Sequence, residues 1–134
     1  MSPIPEIFEQ CLTVKATDLD EQKHVNNVQY VQWIQDIAKA HWESKANPEI
    51  LNKYFWVVIR HEIDYKKQAF LNEEIILRTF VGEHTHVTSI RNVHILNKET
   101  SKILVKAKST WCLMDSTTKK PVKISEELLR VFYK

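Results

Sequence analysis

The chain has 134 residues, 43% of them hydrophobic and 27% charged, with a formal net charge of +2. Such a make-up belongs to a folded globular protein long enough to bury a real core, and the charge offers no electrostatic case for nucleic acid or a membrane surface. A single glycine, Gly82, excludes a Gly-rich phosphate loop, and no apolar run approaches the roughly 20 residues of a membrane span.

Met1-Ser2-Pro3-Ile4-Pro5-Glu6 carries neither the basic nor the apolar region of a secretory leader. Cys11 and Cys112 stand apart, without CxxC or metal spacing, so the expectation is a cytosolic protein with two reduced thiols. Alternation from Phe8 to Ala16 predicts a first strand. A polar loop then runs from Asp20 into a helix that extends to about Ser44. Within it Gln29, Gln32, Asp36, Lys39 and Glu43 recur at steps of three and four and draw one narrow polar stripe, while almost everything else is apolar or small. A surface helix buries about a third of its girth, so a helix this apolar must be wrapped by other structure, and a curved sheet is what can wrap it.

Residues 45–54 read as a linker, with Pro48 discouraging continuation of the helix. A long strand is expected from Phe55 to Lys67, with Phe55, Val57, Ile59, His61, Ile63 and Tyr65 on one face. Strands near Glu74–Val81 and His86–Leu96 follow, joined through Gly82. After a turn over residues 97–101 comes a strand at Lys102–Met114, whose Lys102, Lys106, Lys108 and Thr110 alternate with apolar residues. One wet and one dry face fit an antiparallel sheet packed on one side. Asp115–Pro121 is a polar loop, and Ser125 can cap a short helix through Phe132. The fold class is α+β, one domain over residues 1–134.

Asn26 or Asn27 is a suitable N-cap for the long helix. The remaining first-turn N–H groups and the positive end of the helix dipole make a place for an anion or a developing oxyanion. Asp20 and His24 lie just upstream. A carboxylate, an imidazole and free N–H donors in one place can polarise a carbonyl and activate a water; the blander alternative is that both side chains only make turn hydrogen bonds.

The run Asp20-Glu21-Gln22-Lys23-His24-Val25-Asn26-Asn27-Val28-Gln29-Tyr30, followed by Trp33, resembles the signature of the hotdog-fold thioesterases. These include the 4-hydroxybenzoyl-CoA thioesterase-like acyl-CoA hydrolases and the plant acyl-ACP thioesterases. The resemblance implies an antiparallel sheet around a long central helix, hydrolysis of an acyl thioester without a cofactor or metal, and a homodimer or homotetramer. It implies Asp20 as general base or nucleophile and His24 as a group orienting water or the carboxylate. Asn27 would act through its backbone N–H as oxyanion donor. Gln22 stands where the plant pattern has Asn, and Gln68-Ala69 stand where it has an acidic residue and a cysteine, which favours the single-carboxylate acyl-CoA type. Hydratase chemistry needs a different Asp–His spacing.

Tyr30, Trp33, Ile34 and Ile37 are candidate acyl-pocket liners, or equally ordinary core. Arg91 and Lys66 are candidates for the phosphates of coenzyme A, with Lys67, Lys106 and Lys108 behind them. His84 and His86 form an H-x-H without a third metal ligand, and His61 reads as a buried or interface histidine. A rival from another class is a hotdog module that binds an acyl thioester without turning it over; an intact Asp20 beside a carbonyl site argues against it.

Overall fold

The computed structural model describes residues 4–134, so Met1, Ser2 and Pro3 of the leader reading lie outside the described residues. Five strands form one antiparallel sheet: β1 (Phe8–Thr13), β2 (Tyr54–Tyr65), β3 (Glu74–His84), β4 (Thr88–Asn97) and β5 (Ile103–Asp115). Their order is β1-β3-β4-β5-β2. One long helix, α1 (Asn27–Lys45), packs on the sheet against β1, β3 and β4. Two short helices follow, α2 (Pro48–Lys53) and α3 (Glu126–Arg130). This is the α+β hotdog arrangement that the Asp20–Tyr30 run implies.

The α1 pattern works as its spacing predicts. Tyr30, Trp33, Ile34, Ile37, Ala38, His41 and Trp42 are buried, while Gln32, Asp36, Lys39 and Glu43 stay in solvent. The buried side chains divide between two apolar clusters. One gathers Tyr30, Trp33, Ile34 and Ile37 with Ile75, Leu77, Val93 and Ile95 of the sheet. The other joins Trp42 to Ile50, Leu113, Leu128 and Phe132. Burying a large side chain stabilises by about 1.5–3 kcal/mol, so these residues hold α1 on the sheet.

Three expectations need correction. Residues 45–54 are not a plain linker: Asn47 caps α2 by accepting from the Ile50 N–H at 2.8 Å, and Pro48 occupies its first turn. Proline is favoured there because its missing N–H would have no helical partner. Gly82 is no turn residue either. It lies inside β3, and the β3–β4 connection falls at Thr85–Thr88, closed by a 2.8 Å bond from the Thr85 N–H to the Thr88 carbonyl. A Cβ on Gly82 would stand 3.1 Å from the Asn92 amide, so the lone glycine serves a close cross-strand approach.

The third concerns β2. Its pairing with β5 shifts register between Val58 and Arg60, which leaves Ile59 as an extra residue. A bulge of this kind changes which face the following side chains occupy. Trp56 and Val58 therefore share the inner face with His61, Ile63 and Tyr65, paired respectively with Leu113, Trp111, Ser109, Ala107 and Val105. The single face proposed for Phe55, Val57, Ile59 and His61 does not exist.

Candidate functional site

The loop before α1 is built by backbone bonds. A single 3-10 turn at Ala16–Asp18 tucks the buried Asp18 carboxylate under the Lys15 N–H at 2.8 Å. The Asp18 carbonyl accepts from the Asn26 N–H at 2.9 Å. Between them, residues 19–25 form a tight reversal. The Asp20 N–H donates to the His24 carbonyl at 2.7 Å, the Lys23 N–H donates to the Asp20 carbonyl at 3.0 Å, and Lys23 adopts a φ of 64°. That left-handed conformation is strained for a lysine, and the flanking bonds hold it.

Asp20 is exposed, and its Oδ1 accepts from the N–H groups of Gln22 (2.9 Å) and His24 (3.1 Å). Oδ2 makes no hydrogen bond to the described residues. The carboxylate is thus fixed through one oxygen and open at the other. Asn26, rather than Asn27, is the N-cap: its Oδ1 accepts from the Val28 N–H at 3.0 Å, and its carbonyl accepts from Gln29 (2.8 Å) and Tyr30 (3.3 Å). The Asn27 N–H is left without an acceptor among the described residues, at the positive end of the α1 dipole. His24 and Gln22 hold Asp20 through their main chains. The His24 ring lies edge-on to Phe70, with ring centroids 6.2 Å apart.

A second feature lies further along α1. A cavity of about 600 Å³ opens between the second half of the helix and strands β2 and β5. The helix lends it Gln35, Lys39 and Trp42, the strands lend Trp56 and Trp111, and Arg91 of β4 lines it as well. Arg91 is only 6% exposed. Its Nη1 donates to His41 Nδ1 at 2.9 Å and to Thr79 Oγ1 at 3.3 Å, and its Cζ sits 4.5 Å from the centre of the Phe132 ring. His41 Nε2 then meets Glu6 Oε1 at 3.1 Å, and Lys45 pairs with the other Glu6 oxygen at 2.6 Å. Burial, and next the Arg91 charge, push the His41 pKa down to about 4, so the ring is neutral and carries its proton on Nε2 toward Glu6. Burial lowers Arg91 to about 10, which leaves it cationic at neutral pH.

Residues 5–132 match the model of the acyl-ACP thioesterase N-terminal domain. The chain belongs to that family. The palmitoyl-acyl carrier protein thioesterase of Gossypium hirsutum is 24% identical over an aligned length of 131, covering 91% of this chain and 32% of that protein. The chain thus spans about a third of the length of that curated relative. A 1,4-dihydroxy-2-naphthoyl-CoA thioesterase from Synechocystis superposes with a TM-score of 0.81 at 13% identity, over 95% of this chain and 96% of its own. The probable thioesterase YbaW of Escherichia coli gives 0.79 at 21% identity, over 94% and 98%. At these identities the likeness is one of fold.

Against that family frame the sequence-derived residues separate into two groups. Asp20, Gln22, His24 and Asn27 come together in one loop and helix start. Tyr30, Trp33 and Ile34 lie in the core and not on the wall of the cavity. The Tyr30 hydroxyl accepts from the buried Ala69 N–H at 3.0 Å and donates to Gln68 Oε1 at 3.4 Å, which is a structural duty. Lys66 is exposed at the end of β2, where its main-chain N–H donates to the Leu104 carbonyl. Arg91 is no surface cation of the kind that would grip phosphates in solvent; it lies on the inner face of the sheet.

Sequence reasoning missed the His41–Glu6–Lys45 network and the cavity beneath the polar stripe. The available signal was parity, because Arg91 shares the parity of the buried Val93 and Ile95. His61 is half-buried, its Nδ1 2.6 Å from Ser109 Oγ and its Nε2 3.3 Å from Gln35 Nε2. His84 and His86 are exposed at the β3–β4 turn.

Proposed function

We propose that the chain hydrolyses an acyl-CoA thioester to a free acid and coenzyme A, with Asp20 as general base or nucleophile and the Asn27 N–H as oxyanion donor. The observation that carries it is the pairing, in one hydrogen-bonded loop, of a carboxylate open at Oδ2 with a helix-start N–H that has no acceptor among the described residues. In the general-base form, water attacks the carbonyl carbon and gives its proton to Asp20 Oδ2. The oxyanion gathers at the Asn27 N–H, the C–S bond breaks, and the departing thiolate recovers the proton from Asp20. Gln22 and His24 keep Oδ1 in place, and no metal or organic cofactor takes part.

A second form of the reaction, on an acyl carrier protein, is supported by the family to which the chain belongs. The acyl-CoA form is supported by Gln68 and Ala69, which stand where the plant pattern has its acidic residue and cysteine. A homodimer is supported by β2, a twelve-residue edge strand that exposes Val57 and Ile59. Two free cysteines, Cys11 exposed and Cys112 buried, support a reducing cytosolic setting. Among the described residues no helix is long and apolar enough to cross a membrane.

The test is thiol release from short, long and aromatic acyl-CoAs and from acyl carrier protein thioesters, by wild type and Asp20→Asn in parallel. The amide can still accept the two loop N–H bonds, so the loop survives while the charge goes. A loss of about 100-fold or more is expected if the carboxylate acts in the transition state. Unchanged rates, or no thioester cleaved by the wild type, would sink the assignment and leave the non-catalytic binding module.

A further inference from the structure

Arg91 has no carboxylate partner. Among the described residues none lies within 4.0 Å of it, and both of its side-chain hydrogen bonds are made by Nη1 to neutral groups. Nε and Nη2 have no protein acceptor there. A cation held at 6% exposure with no counter-charge is costly unless something supplies one. The Phe132 face offsets part of that cost.

The cavity holds two further unpartnered donors. The indole N–H groups of Trp56 and Trp111, both in the cavity wall, are buried without a partner. Trp42 stands edge-on to Trp56, with ring centroids 5.8 Å apart. The carboxylates near the cavity, Asp36 and Glu43, are exposed at its rim, and Asp36 already accepts from Gln32 Nε2 at 2.7 Å. So a roomy space lined by aromatic rings on the sheet side and polar side chains on the helix side also holds an unpaired guanidinium fork.

We infer that this cavity is a binding site for an organic carboxylate with an apolar or aromatic body, its carboxylate paired with Arg91. The planar fork of arginine fits a carboxylate through two parallel bonds, and the aromatic walls fit the body. Phosphate fits less well, because a dianion sheds far more hydration on entering a site that holds one buried cation among aromatic rings. The site is separate from the loop in the same chain: His41, which touches Arg91, lies fourteen residues along α1 from Asn27, about 21 Å at 1.5 Å per residue. Binding here therefore does not depend on Asp20.

Three of the four tryptophans line the cavity, so indole fluorescence reports its occupancy. Wild type is titrated with decanoate and 2-naphthoate, and with the matching neutral amides. The acids are expected to quench saturably and to bind roughly 10- to 100-fold more tightly than the amides, the worth of hydrogen bonds to a charged group. In Arg91→Met, checked for fold by circular dichroism, that preference disappears. Arg91→Lys, which keeps the charge but loses the fork, retains part of it. Equal binding of acid and amide by wild type, no saturable quench, or displacement of the acid by ADP at equal concentration each overturns the inference, and the wild-type comparison stands even if the variants fail to fold.

The carboxylate can come from a free acid or from the far end of a thioester's own acyl chain. Hydrolysis of hexadecanedioyl-CoA against palmitoyl-CoA separates the two. A kcat/KM preference for the diacid that Arg91→Met abolishes assigns the substrate's distal carboxylate, whereas parity together with tight acid binding assigns a free acid. That arm alone rests on the proposed hydrolase activity; acid binding by a chain that cleaves no thioester would sink the hydrolase and leave the site intact.

Discussion

Protonation of His41 should set the acid limit of this fold. The ring is wholly buried between Arg91 of β4, Phe8 and Phe132, with Glu6 and Lys45 beyond its Nε2. Burial first and the Arg91 charge second lower its pKa from 6.5 to about 4, against the weaker opposing pull of Glu6. Between those values the unfolded chain binds a proton that the folded chain refuses. Stability is therefore full above pH 6.5 and falls as the pH drops toward 4, by about 1.4 kcal/mol per pH unit. From pH 7 to 4.5 that amounts to about 2–3 kcal/mol, a large share of the usual total for a domain. Glu6, whose pKa is lowered chiefly by its bond to Lys45, acts in the same direction only below about pH 4.5, as it protonates. The measurement is urea unfolding of wild type and His41→Gln at half-unit steps from pH 7 to 4.5. The glutamine can still accept from Arg91 but does not titrate. His61 and His94, whose pKa values burial also lowers, contribute to both proteins and cancel in the difference. A wild-type curve that stays flat over this window, or a variant that keeps the wild-type slope, refutes the assignment.

Tyr30→Phe removes the acceptor of the buried Ala69 N–H, so it should destabilise by about 1–3 kcal/mol in urea unfolding while leaving acyl selectivity unchanged. A change in chain-length preference without loss of stability would return Tyr30 to the acyl pocket. Ile59→Lys places a charge at the β2 bulge, where the native side chain is 59% exposed. It should turn the proposed dimer into a monomer in light scattering with little change in far-UV circular dichroism, because edge lysines block strand addition. An oligomer that persists would put the interface elsewhere.

The fold was legible where one pattern dominated. The α1 stripe was legible because only one side of the helix meets solvent, and the wet and dry faces of β5 because Lys106 and Lys108 sit between buried neighbours. Gly82 misleads because it reads as a joint between strands, and Pro48, which does keep α1 from continuing, also opens α2, so position decides the effect of each. Proline is harmless in a first turn, and glycine inside a strand can mark crowding across it. The β2 bulge left no trace, because Phe55 to Ile59 is apolar at every position, and alternation carries no information where both parities are apolar.

The site divides along the same line. The Asp20 loop was legible because its work is local: turn bonds, a cap and a helix start all lie within eleven residues of sequence. The cavity was not, because its parts come from α1, β2, β4 and β5 and meet only after the sheet has formed. Its polar lining also looked like an ordinary solvated stripe. Gln32, Asp36 and Lys39 occupy the outer side of α1 for the reason any polar residue does, and the cavity forms because the helix covers β3 and β4 while leaving the inner face of β2 and β5 partly open. That open face sits beside the β2 sheet edge, so a second copy added there in the proposed dimer would also narrow the cavity. Acid binding should then weaken in any variant that monomerises the protein, and Ile59→Lys tests this without touching Arg91. If the monomer binds 2-naphthoate as tightly as wild type, the cavity is complete within one chain.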